Sequence, residues 1–377
     1  MKIGINALAM RGQGSFGVKT YFDNIVRRWY ADSLVDCEFV LFSSTIPEWW
    51  DGNRPNFILV HLPIAKNLLL RIFCEQLILP RLSKNKELDV LFHIGYVGSL
   101  LSNVPQIVTI HDAYAWIYQK EIGFLKTFYW QLLIPPSLKK SRRIIASSHN
   151  TASDICHFCD LDESKIKAIP LAGSHLSDIS PDNDILDKLK LKSKSFFLCV
   201  GFYAPIKNTR RILEAYQNYR DKSAKDQAKK LVLVGGALSQ WSLETLDIAK
   251  HIPGVIIAGR VSDAELVALY SHSAGLIFTT LYEGFGIPIL EAQGLGCPVV
   301  TSSLSSMPEV VGSGGILVDP TSVSDIAKAM FQIENPEIAE QLVTLGYRNQ
   351  DVYSWDRVSR ETLEVLLDID IAFTNET

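Results

Sequence analysis

The sequence predicts an α/β protein built from two doubly wound parallel-sheet domains. Three observations carry that prediction. Short apolar runs alternate with amphipathic helical segments along the chain, the pattern of strands buried on both faces. The alternation occurs twice, on either side of a polar, proline-bearing stretch at 174–184. A length of 377 residues exceeds one ordinary core and suits two domains.

In the first half, "KIGINAL" (2–8) reads as a strand and "VKTYFDNIVRRWY" (18–30) as an amphipathic helix. "EFVLFS" (38–43), "LDVLFHI" (88–94), "QIVTIHD" (106–112) and "RRIIASS" (142–148) are further strands. A helix begins at "NTASDICHFC" (150–159), and "IKAIPLAG" (166–173) closes the half. In the second half the strands are "SFFLCVG" (195–201), "LVLVGG" (231–236), "GVIIAG" (254–259), "AGLIFTT" (274–280), "CPVVTSS" (297–303) and "GGILVDP" (314–320). Helices fall at 209–219, 242–250, 262–271, 288–296 and 322–333. The expected domains are 1–175 and 176–355, with a last helix over 356–377 packing back on the first domain. Ligands on such sheets bind beyond the carboxyl ends of strands, so the expected site is a cleft between the domains.

Composition excludes several classes. The net charge is −4, with 19 Lys+Arg against 16 Asp+Glu up to residue 180 and 18 against 25 beyond it. That is not the strongly basic profile of a nucleic-acid binder. A mildly basic first half is compatible with an anionic membrane surface. Cys156 and Cys159 form a lone CxxC, read as chance on a helix, and the six thiols read as reduced and cytoplasmic. "MKIGINALAM" enters a strand at once, so no signal peptide is expected. Residues 90–110 lack charge but contain glycines, serines and Pro105, which reads as two buried strands and a loop rather than a membrane span.

The chemistry concentrates in "LYEGFGIPILEAQGLGCPVV" (281–300). "AGLIFTT" is a buried strand, "LYEGFG" is the loop at its carboxyl end, and Pro288 suits the first turn of a helix. Gly284 and Gly286 allow a ligand close to the backbone, and a helix N-terminus after such a loop attracts phosphate. Glutamates beside a phosphate need another partner. Sugar diols fit, because a carboxylate accepts two hydroxyl hydrogen bonds. Glu283 is then placed on one sugar near the phosphate and Glu291 on another, the layout of a nucleotide-sugar. The competing reading is a capped helix with a solvated glutamate.

"EGFGIPILE" resembles the E-x7-E signature of retaining glycosyltransferases of the GT-B fold, family 4, also called glycosyl transferases group 1. "GFYAPIKNTRRILEAY" (201–216), "GRVSDAELVALY" (259–270), "SSMPEVVGSGGILVDP" (305–320) and "YSWDRVSRETLEVL" (353–366) resemble the family's donor domain. "GQGSFGVKTYFDNIV" (12–26), "TIHD" (109–112) and "SSHNTASDI" (147–155) resemble its acceptor domain. The resemblance implies a donor site formed by Gly14, Gly17, Lys207, Glu283, Gly284, Phe285, Gly286, Ile287 and Glu291. It implies that Lys207 neutralises the diphosphate leaving group, that Glu283 grips the donor sugar, and that His111 approaches that sugar. Phe202 and Tyr203 stand where many members carry an Arg, leaving Arg210 or Arg211 as candidate second cations.

"GQGSFG" is formally a GxGxxG. A dinucleotide site wants an acid ending the next strand, whereas Glu38 starts it, so the loop reads as a flexible glycine turn facing the cleft. "DLD" (160–162), "DND" (182–184) and "DID" (368–370) match Asp-x-Asp by letter, but none ends a recognisable buried strand, and no metal or other cofactor is expected. "PIKN" and "IPLAG" resemble bacterial polysaccharide mannosyltransferases, which implies GDP-mannose as donor and a glycan or lipid-linked acceptor. "LLLRIFCEQLILP" (68–80) and "FLKTFYWQLLIPP" (124–136) are candidates to face that acceptor or the inner membrane surface. The rival readings are a nucleotide-sugar epimerase, an NAD(P)-dependent dehydrogenase and a non-catalytic sugar-binding protein.

Overall fold

A computed structural model describes residues 1–10, 16–32, 36–119, 124–201, 204–224, 227–236 and 240–368. The chain forms two compact units, Met1–Leu171 with Trp355–Thr377, and Ala172–Ser354.

The first unit is a seven-stranded parallel sheet in the order β3-β2-β1-β4-β5-β6-β7. Its strands are β1 Lys2–Ala7, β2 Glu38–Ser43, β3 Phe57–His61, β4 Val90–His93, β5 Gln106–Ile110, β6 Arg143–Ala146 and β7 Ile166–Ala168. The uncharged stretch 90–110 is indeed β4, a loop and β5, and among the described residues no helix is long and apolar enough to cross a membrane. β3 has no counterpart in the sequence reading. It lies at the sheet edge, where Ile58 stays 42% exposed although its first four residues, Phe57 to Val60, are all apolar.

Helix Phe16–Ala31 buries Tyr21, Phe22, Ile25, Val26, Trp29 and Tyr30, a stripe at helical spacing. Helix Trp355–Leu367 packs against it. Trp29 Nε1 donates to the Ser359 carbonyl at 3.2 Å, and Arg28 Nε lies 2.6 Å from Asp356 Oδ1. Cys156 and Cys159 lie on helix His149–Cys159, where burial pushes the Cys159 thiol up to about 12.

The second unit is a six-stranded parallel sheet in the order β10-β9-β8-β11-β12-β13. Its strands are β8 Phe196–Val200, β9 Lys230–Val234, β10 Val255–Gly259, β11 Gly275–Phe278, β12 Val299–Ser302 and β13 Gly315–Val318. The chain enters at β8 in the middle, winds outward through β9 and β10, then returns to β11 beside β8. That reversal is a topological switch point, where adjacent loops diverge to opposite faces and leave a crevice at the strand ends. Helix Asp263–His272 starts on a capping box, Ser262 with Glu265.

Candidate active site

The loops that leave β8 and β11 carry the two residues the sequence singled out most strongly. After β8 the chain makes a single 3₁₀ turn, Pro205–Lys207. After β11 it runs through "TTLYEGFG" into helix Ile287–Gly294, with proline in the first turn. Leu281 N–H donates to the Ile206 carbonyl at 2.8 Å, joining the two turns through the backbone. Lys207 Nζ lies 2.6 Å from Glu283 Oε1, and only 15% and 18% of the two side chains is exposed. The ammonium also stands 5.4 Å from the centre of the Phe278 ring.

Three residues not singled out in the sequence hold this pair. Asn208 is buried, in the left-handed region at φ 60°. Its Nδ2 donates to the Thr279 carbonyl at 2.9 Å and the Pro320 carbonyl at 2.6 Å. Its Oδ1 accepts from Arg211 Nη1 at 3.0 Å. Ser305, also left-handed at φ 56°, donates from Oγ to the Glu283 carbonyl at 2.6 Å and accepts from Glu283 N–H at 3.3 Å. Ser306 Oγ bonds the Glu283 and Phe285 carbonyls at 2.8 and 2.9 Å. The sequence signals were faint: an Asn after a Lys, and paired serines before "MPE".

The two arginine candidates part company. Arg210 pairs with Glu244 at 2.9 Å and stands over the Trp241 ring at 5.1 Å. Arg211 reaches Asn208 beside Lys207. Phe202 and Tyr203 lie outside the described residues.

Gly286 has φ 105° and precedes the helix as its N-cap. A Cβ there would stand 2.7 Å from Met307 Cε, the movable end of a flexible side chain, so glycine is required chiefly by conformation. Phe285 is buried, its ring edge-on to Tyr353 at 5.9 Å. One turn into the helix, Glu291 is 8% exposed. Tyr270 O–H donates to its Oε2 at 2.8 Å, and His175 Nε2 lies 3.3 Å from its Oε1. Burial, with the Glu291 charge beside it, raises the Tyr270 hydroxyl well above its usual range. Thus Glu291 is a buried, hydrogen-bonded carboxylate, not a solvated one. Glu309 lies in helix Met307–Val311, whose first turn favours an acid, and its carbonyl accepts from Tyr353 O–H at 2.9 Å.

In the first unit His111 follows β5. Its Nε2 donates to the Ile94 carbonyl at 2.8 Å, which leaves the proton-free Nδ1 as the acceptor of the neutral ring. The Tyr21 and Tyr96 rings meet it edge-on at 5.2 and 5.7 Å. Burial lowers its pKa to about 4, so the ring is uncharged near neutrality. Asp112 accepts from Tyr96 O–H at 2.5 Å and from Tyr114 N–H at 2.9 Å. Gly14 lies outside the described residues. Gly17 sits in the first turn of helix Phe16–Ala31, with open space where a Cβ would stand.

The dehydrogenase layout finds no acid at the end of β2. Ser43 occupies that end, its hydroxyl bonded to the Thr45 carbonyl at 2.6 Å, while Glu38 begins the strand. Among the described residues no three His, Cys, Asp or Glu side chains cluster as a metal site. An open depression of about 370 Å³ is lined by Arg143, Lys167, Glu364 and Asp368. Those charges pair with one another, Lys167 with Glu364 at 3.8 Å and Arg143 with Asp368 at 4.0 Å.

Comparison with known proteins identifies the family. A family described as "Glycosyl transferases group 1" matches residues 182–350, and "Glycosyltransferase Family 4" matches 17–172. O-antigen chain mannosyltransferase B of Escherichia coli is 27% identical over 68% of this chain and 68% of its own length. Serotype-specific mannosyltransferase WbdA of Escherichia coli is 26% identical over 91% of this chain, a match that takes in 43% of that longer protein. Among solved structures, Anabaena HepE in complex with UDP and glucose superposes with a TM-score of 0.72 at 15% identity, over 98% of this chain and 100% of that one.

Proposed function

The chain belongs to the GT-B glycosyltransferases, and from that premise we propose that it moves mannose from GDP-mannose to a glycan or lipid-linked acceptor, with retention at the anomeric carbon. The observation that carries the reading is the Lys207–Glu283 pair at the switch point of the second sheet. It sets a cation beside a carboxylate, next to a helix N-terminus. Such a place suits a sugar diphosphate, whose phosphates need positive charge and whose hydroxyls need acceptors.

Each residue then has a task. The Lys207 ammonium stabilises charge gathering on the departing diphosphate. Glu283 accepts hydroxyl hydrogen bonds from the donor sugar. Gly284, Phe285, Gly286 and Ile287 bring main chain close to the phosphates. Glu291, held by Tyr270 and His175, accepts from the ribose hydroxyls. Neutral His111 of the first unit offers its ring nitrogen to a sugar hydroxyl. In the transfer, the acceptor oxygen bonds the anomeric carbon on the face from which the diphosphate oxygen departs. The acceptor proton passes to that departing phosphate oxygen. Catalysis is positioning plus leaving-group stabilisation, with no metal or cofactor in the proposed step.

The mannosyl assignment draws on the O-antigen mannosyltransferases, and the nucleotide-sugar donor also on the UDP held by HepE. We place the enzyme in surface-polysaccharide synthesis, in the cytoplasm, resting on the inner membrane surface. Leu69, Phe73, Leu101, Phe128 and Leu132 are exposed apolar residues of neighbouring segments. Gln76 bonds Gly98 and Leu100, and Lys140 bonds the Leu100 carbonyl, which joins those segments. Residues 62–86 and 113–142 carry ten Lys and Arg against two acids, Glu75 and Glu121, and Glu75 is buried. Exposed apolar residues on segments rich in Lys and Arg suit an anionic bilayer.

The test is a thermal-shift series with GDP, UDP and ADP, followed by mass spectrometry of transfer from the matching sugar donor to a lipid-linked glycan. Stabilisation by GDP and an α-mannosyl product support the reading. Stabilisation by UDP alone moves the donor, a β-linked product removes retention, and no response to any nucleotide sinks the proposal.

A further inference from the structure

We propose that Asn208, Ser305 and Ser306 are positioning residues for glycosyl transfer, Asn208 placing the Lys207 ammonium and the serines placing the Glu283 carboxylate. The inference rests on the roles given to Lys207 and Glu283 under Proposed function. It adds that each is aimed by its own separable clamp.

The geometry of the clamps is unlike ordinary turn stabilisation. An Asn at a helix N-cap normally bonds the free N–H groups of that helix. Asn208 caps helix Thr209–Lys222 by position, yet makes no side-chain cap bond. Its two amide hydrogens go instead to Thr279, at the end of β11, and Pro320, beyond the end of β13. The residue after Lys207 is therefore tied to two other strand ends of the same sheet. With Leu281 N–H on the Ile206 carbonyl, the lysine turn is held on both sides of Lys207. A left-handed φ of 60° suits Asn, so the backbone accepts this arrangement.

The serines act on the other turn. Ser305 occupies φ 56°, a conformation glycine adopts at less cost. What serine adds is a hydroxyl that meets both main-chain groups of Glu283, donating to its carbonyl and accepting from its N–H. Ser306 adds a hydroxyl between the Glu283 and Phe285 carbonyls. The two hydroxyls thus fix the backbone from which the Glu283 carboxylate projects. Neither serine needs to touch substrate for this. Misplacing a catalytic group by about 1 Å can cost on the order of 10²-fold in rate.

The experiment compares Ser305→Gly/Ser306→Ala and Asn208→Gly with the native enzyme. It measures kcat, donor KM and the Kd for GDP, with UDP and ADP run in parallel. Gly at both left-handed positions keeps the backbone conformation and removes only the side-chain bonds. The serine variant is expected to lose about 10²-fold in kcat while Kd for the nucleotide changes by less than about 10-fold, because the Lys207 turn keeps its own hydrogen bonds. Asn208→Gly is expected to weaken the nucleotide about 10-fold, the size of one charge-assisted hydrogen bond. Ser306→Thr, which keeps the hydroxyl, should hold kcat within about 3-fold of native. If the double serine variant does not fold, Ser306→Ala alone carries the same comparison. Native kcat and Kd per folded molecule in both variants overturn the inference, as does a loss that tracks only the melting temperature. Lys207→Ala and Glu283→Ala separate the two levels. If they lose turnover while the clamp variants do not, positioning alone is refuted. If they keep turnover, the site assignment falls and the inference with it.

Discussion

Lys207 Nζ and Glu283 Oε1 stand 2.6 Å apart although 76 positions separate them in the chain. The contact exists because β8 and β11 are neighbours in the sheet, so the loops leaving their carboxyl ends converge. A charge pair fixed by the fold is preorganised, and electrostatic preorganisation is usually the largest single contribution to catalysis. Lys207→Ala and Glu283→Ala are each expected to cut kcat by about 10²–10³-fold, the usual effect of removing one such group. Steady-state kinetics with circular dichroism checks this. Native rates in either variant would remove that residue from the mechanism.

Gly286 offers a test of the turn. Gly286→Ala must adopt φ 105° and push into Met307, so a destabilisation of about 1–3 kcal/mol is expected, with loss of turnover. Adding Met307→Ala makes room but leaves the φ penalty. Partial recovery of turnover in the pair, seen in urea titrations and rates together, separates the two causes. Gly286→Ala with native stability would show that the turn relaxes freely.

Tyr270→Phe removes one hydrogen bond to a buried carboxylate. The expected cost is about 1–3 kcal/mol of stability, and donor KM should rise as Glu291 loses its fixed rotamer. Denaturant midpoints and KM for the sugar donor report the two effects. An unchanged KM would detach Glu291 from donor binding.

Two buried histidines make the first unit acid-sensitive. His93 lies between Asn6 Nδ2 at 3.0 Å and Gln106 Oε1 at 2.8 Å, and burial lowers its pKa, like that of His111, to about 4. Unfolded, each imidazole takes a proton near pH 6.5. The folded state therefore binds fewer protons between pH 6.5 and 4. The stability contribution is full above pH 6.5 and is lost progressively as pH falls through that window. At pH 5 the loss is about 2 kcal/mol per histidine. His93→Gln keeps a donor and an acceptor but does not titrate. Its urea midpoint should fall less than the native one between pH 7 and pH 5, and equal falls would refute the assignment. The rate profile should show no inflection near pH 6.5 from His111.

If the exposed apolar residues of the first unit's cation-rich segments meet a membrane, the protein binds vesicles containing an anionic phospholipid, and salt weakens the binding by screening the cations. Leu69→Ser/Phe73→Ser/Leu132→Ser should reduce cosedimentation at least about 10-fold, since several exposed apolar side chains lose their burial in the bilayer. All three residues are exposed or largely so, and the melting temperature should hardly move. Native binding by the triple variant, or none by the unaltered protein, would end the membrane reading.

The legibility of the chain follows its physics. Inner strands such as Val90–His93 and Gly275–Phe278 are fully buried and show as apolar runs, so they were readable. Phe57–His61 begins with four apolar residues but sits at the sheet edge, where only Phe57 is buried. "EGFGIPILE" was readable because a glycine turn, a proline and a helix start are local features. Asn208, Ser305 and Tyr270 were not, since their partners lie far away in sequence. Nor could the spacing separate Arg210 from Arg211. One helical step turns the first towards Glu244 and Trp241 and the second towards Asn208.

By itself, then, the sequence determined the alternation of strands and helices, the division into two sheets and the turn that presents Glu283. All of these depend on periodicity and on backbone preferences within a few residues. Tertiary structure alone decided which charge meets which. Strand order brings β8 beside β11, and side-chain hydrogen bonds across the sheet ends hold Lys207 and Glu283 in place. Those contacts arise from long-range packing, which no local stretch of sequence encodes.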